Sequence, residues 1–356
     1  MCTVIKLRDI RDFSQEELAK EIAILGEKSF RSKQVYEWIW NKNARSFEEM
    51  TNLSKDFRAL LATHFTMNTA EVVEQQVSGD RTIKCAFGIE GRNVVEGVLI
   101  PTNTRMTACI SSQAGCSLAC KFCGTGRLKL MKNLQAGEIV DQVVHLQRLA
   151  EGYYQTPLSN IVFMGMGEPL LNYKNVLTAV EKITGTPGLG MSPRRITVST
   201  AGIAKMIKKL GDDDVRFNLA LSLHAANDIK RSKIMEINDS NNLASLREAL
   251  IYFHERTGTR VTFEYIIFKD FNDTLQDAKE LAAFARCVPC KINIIEYNPI
   301  DDGEFQQADP LNVDLFAKYL EEVCNMVVHV RRSRGKDIDA ACGQLANKNK
   351  AALKED

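Results

Sequence analysis

Three cysteines, Cys116, Cys120 and Cys123, stand in Cys116-Ser-Leu-Ala-Cys120-Lys-Phe-Cys123, and Gly124, Thr125 and Gly126 follow at once. Thiolates are soft ligands that suit zinc or iron–sulfur clusters. A structural zinc site takes four protein ligands, and no fourth cysteine or histidine stands nearby at zinc-finger spacing. Three thiols on one short loop could instead hold three irons of a four-iron cluster and leave the fourth iron open to a ligand. A zinc or redox loop is the alternative.

Further residues with chemistry recur downstream. Gly165-Met-Gly167-Glu168-Pro169 combines glycines, which permit close backbone approach, with a carboxylate. Exposed backbone groups there, with the charge of Glu168, could hold an amino group; a tight turn is the alternative. Ser199-Thr-Ala-Gly202, Ser222-Leu223-His224 and Asn298 before Pro299 could each be turn or cap residues. Cys109 precedes the cysteine loop, and Cys342 stands in Lys336-Asp-Ile-Asp-Ala-Ala-Cys342-Gly-Gln-Leu345. A free cysteine is most often a small buried hydrophobe. The run Arg331, Arg332, Arg334 could nevertheless hold phosphates and lower the pKa of a nearby thiol; Gly343 leaves that thiol unshielded. Cys287 and Cys290 form a Cys-x-x-Cys at a helix end, away from the other motifs, and are expected to pack. Cys2, Cys85 and Cys324 are expected to be structural. Glu96 lies among apolar neighbours in a strand, where a lone glutamate usually faces solvent.

The elements that must position these groups follow from periodicity. Ser14-Gln-Glu-Glu17 reads as a capping box opening a helix that Gly26 ends. Phe30–Trp40 reads as a second helix with Val35, Trp38 and Ile39 available to a core, and Leu53, Phe57, Leu60 and Leu61 suit a third. Residues 1–68 are thus a small helical unit. Its Arg31, Lys33, Tyr36, Trp38, Lys42 and Arg45 could form an RNA-facing surface or a core stripe with a solvated face. Residues 69–104 alternate with period two and read as a β-hairpin linker. From 105 to 330, six strand-like runs (105–111, 160–166, 195–199, 217–224, 261–268 and 292–297) alternate with helical ones. That order predicts an α/β domain with a parallel sheet and right-handed crossovers. Ligands in such folds bind at the carboxyl ends of the strands, where the motifs above fall. Residues 331–356 form a C-terminal segment with a polar, frayed end.

Composition narrows the class. The 356 residues are 45% hydrophobic and 26% charged, an ordinary globular balance. No apolar run is long enough for a membrane span, and Met1-Cys-Thr-Val-Ile-Lys does not read as a signal peptide. Ten cysteines without a secretion signal point to thiol or metal chemistry in a reducing cytoplasm. A net charge of +1 means that any nucleic-acid contact must come from local patches.

The spacing C-x3-C-x2-C, with Phe122 before the last cysteine, resembles the signature of radical S-adenosylmethionine (SAM) enzymes. Together with Cys109, Gly-Met-Gly-Glu-Pro, Ser-Leu-His and Asp-Ala-Ala-Cys-Gly-Gln-Leu in this order, the chain resembles the radical SAM RNA adenine methyltransferases, the RlmN/Cfr family. The resemblance covers nearly the whole chain, including Phe30-Arg-Ser-Lys-Gln-Val and Phe47-Glu-Glu-Met. One branch methylates carbon 2 of an adenine in 23S rRNA and of the adenine 3′ to the tRNA anticodon. The other methylates carbon 8 of the same ribosomal adenine and gives antibiotic resistance. Gly167-Glu-Pro-Leu-Leu-Asn172 is similar to the first; Ala201 and the arginine run distinguish nothing.

The resemblance implies a partial (β/α)6 TIM-like barrel, a [4Fe-4S] cluster on Cys116, Cys120 and Cys123, and two SAM molecules per turnover. It implies that Gly167, Glu168, Ser199, Ser222, Leu223, His224 and Asn298 contact SAM. Cys342 would take a methyl from a first SAM. A 5′-deoxyadenosyl radical from a second would remove a hydrogen from that methyl, and the carbon radical would add to the adenine. Cys109 would attack the sulfur of Cys342 and free the product by forming a disulfide, with Glu96 as the base that removes the carbon proton. An unactivated adenine carbon is not nucleophilic, so cofactor-borne radical chemistry meets a real need, and the base must be unstacked. The expected partners are 23S rRNA, tRNA and an electron donor such as flavodoxin or ferredoxin, with the chain a monomer. A metal-stabilised RNA-binding protein and a radical SAM enzyme for small molecules are the rivals.

Overall fold

The computed structural model describes residues 7–348; Cys2 and the tail beyond Lys348 lie outside them. The chain starts with β1 (Arg8–Asp9), followed by α1 (Gln15–Ile24), α2 (Phe30–Trp40) and α3 (Lys55–His64). β2 (Phe65–Thr66) then returns to pair in parallel with β1. The capping box forms: Ser14 Oγ accepts from the N–H of Glu17, whose carboxylate accepts from the N–H of Ser14.

The α2 core differs from expectation. Ser32, Val35, Tyr36, Ile39 and Trp40 are buried, because positions three and four apart share one helix face. Tyr36 therefore leaves the basic-aromatic surface for the core. Trp38 is only half-buried, with Lys42 Nζ 4.1 Å from its ring centroid. Lys182, from the main domain, lies over the rings of Tyr36 and Trp40 and joins the two units.

β3 (Glu71–Val77), β4 (Ile83–Ile89) and β5 (Asn93–Pro101) are antiparallel neighbours. They form the expected antiparallel hairpins, and β5 pairs in turn with β6 (Met106–Cys109), which joins them to the main sheet. The cause is burial: nearly every residue of β4 and β5 is covered, on both faces, whereas a free-standing hairpin is marginal in water.

The main domain continues with β7 (Gln113–Ala114), β8 (Lys132–Asn133), α4 (Ala136–Tyr154), β9 (Asn160–Phe163), α5 (Tyr173–Thr184) and β10 (Ile196–Thr200). Next come α6 (Ala204–Asp212), β11 (Asn218–Ser222), α7 (Asp228–Ile234), α8 (Leu243–Thr257) and β12 (Val261–Ile267). α9 (Leu275–Ala285), β13 (Cys290–Glu296), α10 (Pro310–Lys318) and β14 (Val328–Arg331) complete it. One open sheet results, in the order β14-β13-β12-β11-β10-β9-β6-β5-β4-β3. From β6 through β14 every neighbouring pair is parallel. The expected parallel α/β domain is present and gains a seventh parallel strand, β14, which ends on Arg331, the first residue of the arginine run. β14 was hidden because its four residues alternate apolar with basic and histidine.

Candidate active site

The cysteine loop hangs from a two-stranded neck, β7 paired antiparallel with β8. Gly115 turns into the loop at φ +74°, and a Cβ there would lie 1.9 Å from Lys129 O, so only glycine fits. The N–H of Cys123 donates to Cys120 O, and that of Gly126 to Cys123 O. The N–H of Lys121 donates to Ile234 O at 3.1 Å, tying the loop to the end of α7. All three thiols are half-buried and open on one cavity of about 900 Å³, counting the space open to solvent.

Burial pushes the Cys116 thiol up to about 11 and raises Cys120 and Cys123 as well. Among the described residues no three His, Cys, Asp or Glu side chains are gathered tightly enough for a single metal ion. Three thiols on one loop, opening on one cavity, are a donor set that an iron–sulfur cluster takes. The residues present fit a [4Fe-4S] cluster.

The cavity walls come from the carboxyl ends of successive parallel strands. After β9, Gly167 has φ +89°, and a Cβ on it would lie 2.4 Å from Gln113 Cβ. Glu168 lines the cavity but is already engaged: its oxygens accept from Leu170 N–H at 3.0 Å and Ala201 N–H at 2.7 Å. Burial raises its pKa, against the pull of those bonds. Ser199 and Ser222, from β10 and β11, face each other with hydroxyls 3.3 Å apart. His224, at φ +56°, accepts at Nδ1 from Ile266 N–H and packs edge-on to Phe122. Burial, helped by Arg231, lowers its pKa to about 3, so its ring is neutral. All five line the cavity. Leu223 does not: its side chain is in the core. Asn298 donates to Cys342 O at 3.2 Å, and its own Oδ1 is buried without a hydrogen-bond partner. Asn298 is buried outside the lining of this cavity.

Cys342 exposes its thiol to this cavity. Its segment is pinned to the cysteine loop: Gly124 N–H donates to Gly343 O at 2.7 Å, and Thr125 Oγ1 to Leu345 O at 2.6 Å. Cys109, at the end of β6, is buried, and its thiol is pushed up to about 12 by burial, with Cys342 near enough to add to the effect. Arg331 opposes burial at both thiols. Its guanidinium lies 3.5 Å from Glu264, a buried carboxylate on the cavity wall that also accepts from Asn293.

Two expectations are corrected here. Glu96 does not face solvent: it is 1% exposed, because β5 is an interior strand covered on both faces. Its Oε2 accepts from the N–H groups of Ala346 and Asn347, each at 3.0 Å, and Lys84 Nζ lies 3.6 Å from Oε1. The arginine run is not free for phosphate either. Arg331 at the end of β14 pairs with Glu264, and in the stretch after the strand Arg332 pairs with Glu296 and Asp314 and Arg334 with Asp80. Cys287 and Cys290 stand at the amino end of β13, the opposite end from the cavity, and Cys290 Sγ donates to Ala285 O. Cys85 is buried in the sheet and Cys324 half-buried.

Sequence reasoning missed Glu264 and Arg231. The glutamate inside Val261-Thr-Phe-Glu-Tyr-Ile-Ile was a signal, as a charge in an otherwise unpolar strand; Arg231 carried none.

Residues 8–67 match the ribosomal RNA large subunit methyltransferase N-terminal domain family, and residues 110–285 the radical SAM superfamily. A probable dual-specificity RNA methyltransferase RlmN of Cytophaga hutchinsonii is 58% identical over 346 residues, covering 97% of this chain and 94% of the relative. The dual-specificity RNA methyltransferase RlmN of Campylobacter fetus is 41% identical, covering 98% of this chain and 100% of its own. The crystal structure of a radical SAM methyltransferase from Sphaerobacter thermophilus superposes with a TM-score of 0.89 at 36% identity, covering 95% of this chain and 99% of that one.

Proposed function

The chain belongs to the RlmN family of radical SAM dual-specificity RNA methyltransferases, and from that premise we propose that it methylates carbon 2 of one adenine in 23S rRNA and of the adenine 3′ to the tRNA anticodon, through a methylated Cys342. The observation that carries this reading is that Cys342 and the three loop cysteines open on one cavity.

In this reading Cys116, Cys120 and Cys123 hold the cluster, and SAM lies against Gly167, Glu168, Ser199, Ser222, the backbone around Leu223, His224 and Asn298. When bound, the cluster and SAM supply a reducing electron, a radical and the methyl group, chemistry beyond any side chain here. The chain's own residues do the rest. Cys342 accepts a methyl as a thiolate, forming an S–C bond as the sulfonium's S–CH3 bond breaks. Arg331 favours that thiolate against the burial that opposes it. The bonds from Gly124 and Asn298 hold the methylated sulfur in the cavity. Cys109, as a thiolate, attacks that sulfur: the disulfide bond forms, the bond from sulfur to the transferred carbon breaks, and its electron pair stays on that carbon, where a proton completes the methyl group. Glu96 is the candidate base for the adenine's carbon proton. Because its carboxylate holds the N–H groups of Ala346 and Asn347, it becomes available only once the tail is released.

The helical unit, with Arg31, Lys33, Trp38, Lys42 and Arg45, supplies RNA contact, and a small flavodoxin- or ferredoxin-like protein supplies the electron. The enzyme works as a cytoplasmic monomer; no helix among the described residues is long and apolar enough to cross a membrane. Nucleoside mass spectrometry of 23S rRNA and tRNA, from cells with and without the gene, tests the reading. Loss of 2-methyladenosine from both RNAs is expected. An unchanged level, or loss of 8-methyladenosine instead, would contradict it.

A further inference from the structure

Arg231, on α7, heads the wholly buried side chains by size among the described residues. Its guanidinium donates to Leu223 O at 3.1 Å, Ser222 O at 3.3 Å, Asn238 Oδ1 at 2.9 Å and Ala201 O. Every acceptor is neutral. A buried cation without a counter-charge is strongly disfavoured, and buried charges are normally paired or set against a metal site. The carboxylate whose charge reaches Arg231 is that of Asp228, which is exposed and already accepts from Asn238 Nδ2 and Leu243 N–H. An arginine guanidinium stays protonated in proteins, so the charge is there to be met.

On its other side lies the cysteine loop. The Lys121 N–H bond to Ile234 O joins the two elements, and Leu118, Cys120 and Cys123 pack against the cluster that includes Ala201, Ile234 and Met235. Ala201, whose carbonyl Arg231 holds, lines the same cavity as Cys120. Neutral donors could tie down three carbonyls. A charge there makes sense only if the loop brings negative charge with its ligand, as a cluster on three thiolates does.

We propose that Arg231 is a positioning residue for the cluster: it clamps the carboxyl ends of β10 and β11 beneath the cysteine loop and sets a positive charge against Cys120 that makes the bound cluster easier to reduce. This rests on Cys116, Cys120 and Cys123 holding the cluster.

The test uses the full chain, reconstituted anaerobically without SAM, as parent, Arg231→Gln, Arg231→Lys and Asp228→Asn. Iron and sulfide content is measured first, then the midpoint potential by reductive titration followed by electron paramagnetic resonance. Arg231→Gln should shift the potential negative, lowering the reduced-to-oxidised ratio at a fixed solution potential on the order of tenfold, as expected for a partly screened nearby charge. Arg231→Lys should stay near the parent, and Asp228→Asn should shift slightly positive. A loaded Arg231→Gln with the parent's potential overturns the proposal, as does a lysine variant that shifts as far as the glutamine one. If Arg231→Gln does not load, Asp228→Asn decides: a positive shift supports the proposal and an unchanged potential overturns it. A parent that takes up no iron overturns the cluster assignment itself, which is a distinguishable result.

Discussion

The N–H of Gly124 donates to the carbonyl of Gly343 at 2.7 Å. Gly124 directly follows the last cysteine of the loop, and Gly343 directly follows Cys342. Two stretches more than two hundred residues apart are thereby held in register, backbone to backbone. A Cβ on Gly124 would come within 3.1 Å of Ala346 Cβ and 3.3 Å of Gly343 O, so a side chain there would push the two stretches a few tenths of an ångström apart. The position of the proposed methyl carrier is thus set by the same loop that would hold the cluster.

Gly343→Ala should loosen that link alone. Gly343 has φ +84°, and a Cβ would sit 3.2 Å from Phe122 O. A non-glycine residue in that conformation costs about 1–3 kcal/mol. The strain falls on the docked tail, so iron loading should stay near the parent's. Methylation of Cys342, followed by peptide mass spectrometry, should slow by roughly one to two orders of magnitude, at about 1.4 kcal/mol per factor of ten. Parent-like methylation would show that docking through Gly343 is unimportant.

Cys120→Ala should abolish iron uptake and SAM cleavage together, since two thiols cannot hold the cluster. Iron analysis and the release of 5′-deoxyadenosine are the measurements. SAM cleavage that survived in this variant would remove the loop from the mechanism.

His224 predicts a pH dependence of the iron-free protein. Burial lowers its pKa from 6.5 to about 3, so between those values the unfolded chain binds a proton that the folded chain refuses. Its contribution is intact above 6.5 and is lost as pH falls, by up to about 1.4 kcal/mol per pH unit. Denaturant titrations across that range should show a shallower pH slope for His224→Gln. Equal slopes would mean that the imidazole takes up its proton in the folded state.

Much of this was legible in the sequence because motif and period agreed. The cysteine loop and Gly167-Glu168 follow predicted strands, Ser199, Ser222 and His224 stand at the carboxyl ends of others, and the parallel sheet brings them to one cavity. What was not legible depended on partners distant in sequence. Glu96 read as solvent-facing because a single strand does not reveal that both its faces will be covered. The arginine run read as a phosphate site because Glu264, Glu296 and Asp80, which pair with it, lie far from it in sequence. Tyr36 and Trp38 were misassigned by a small rotation of the α2 face. Arg231 gave no pattern, since its role comes from three carbonyls on two strand ends.

The pairing of Cys109 with Cys342 is the centre of the account, and Cys109→Ala tests it most directly. Cys109 is buried at the end of β6, so a purely structural role would cost only about 1 kcal/mol on truncation, with activity falling through stability alone. If Cys109 instead frees the product, its alanine variant should fold, load iron and methylate Cys342 normally. It should then stall with RNA joined to Cys342 through the transferred carbon. Denaturing gels after one round with RNA should show a protein–RNA adduct that ribonuclease removes and that the Cys109→Ala, Cys342→Ala double variant lacks. An active Cys109→Ala enzyme with no adduct would contradict the account and return Cys109 to the core.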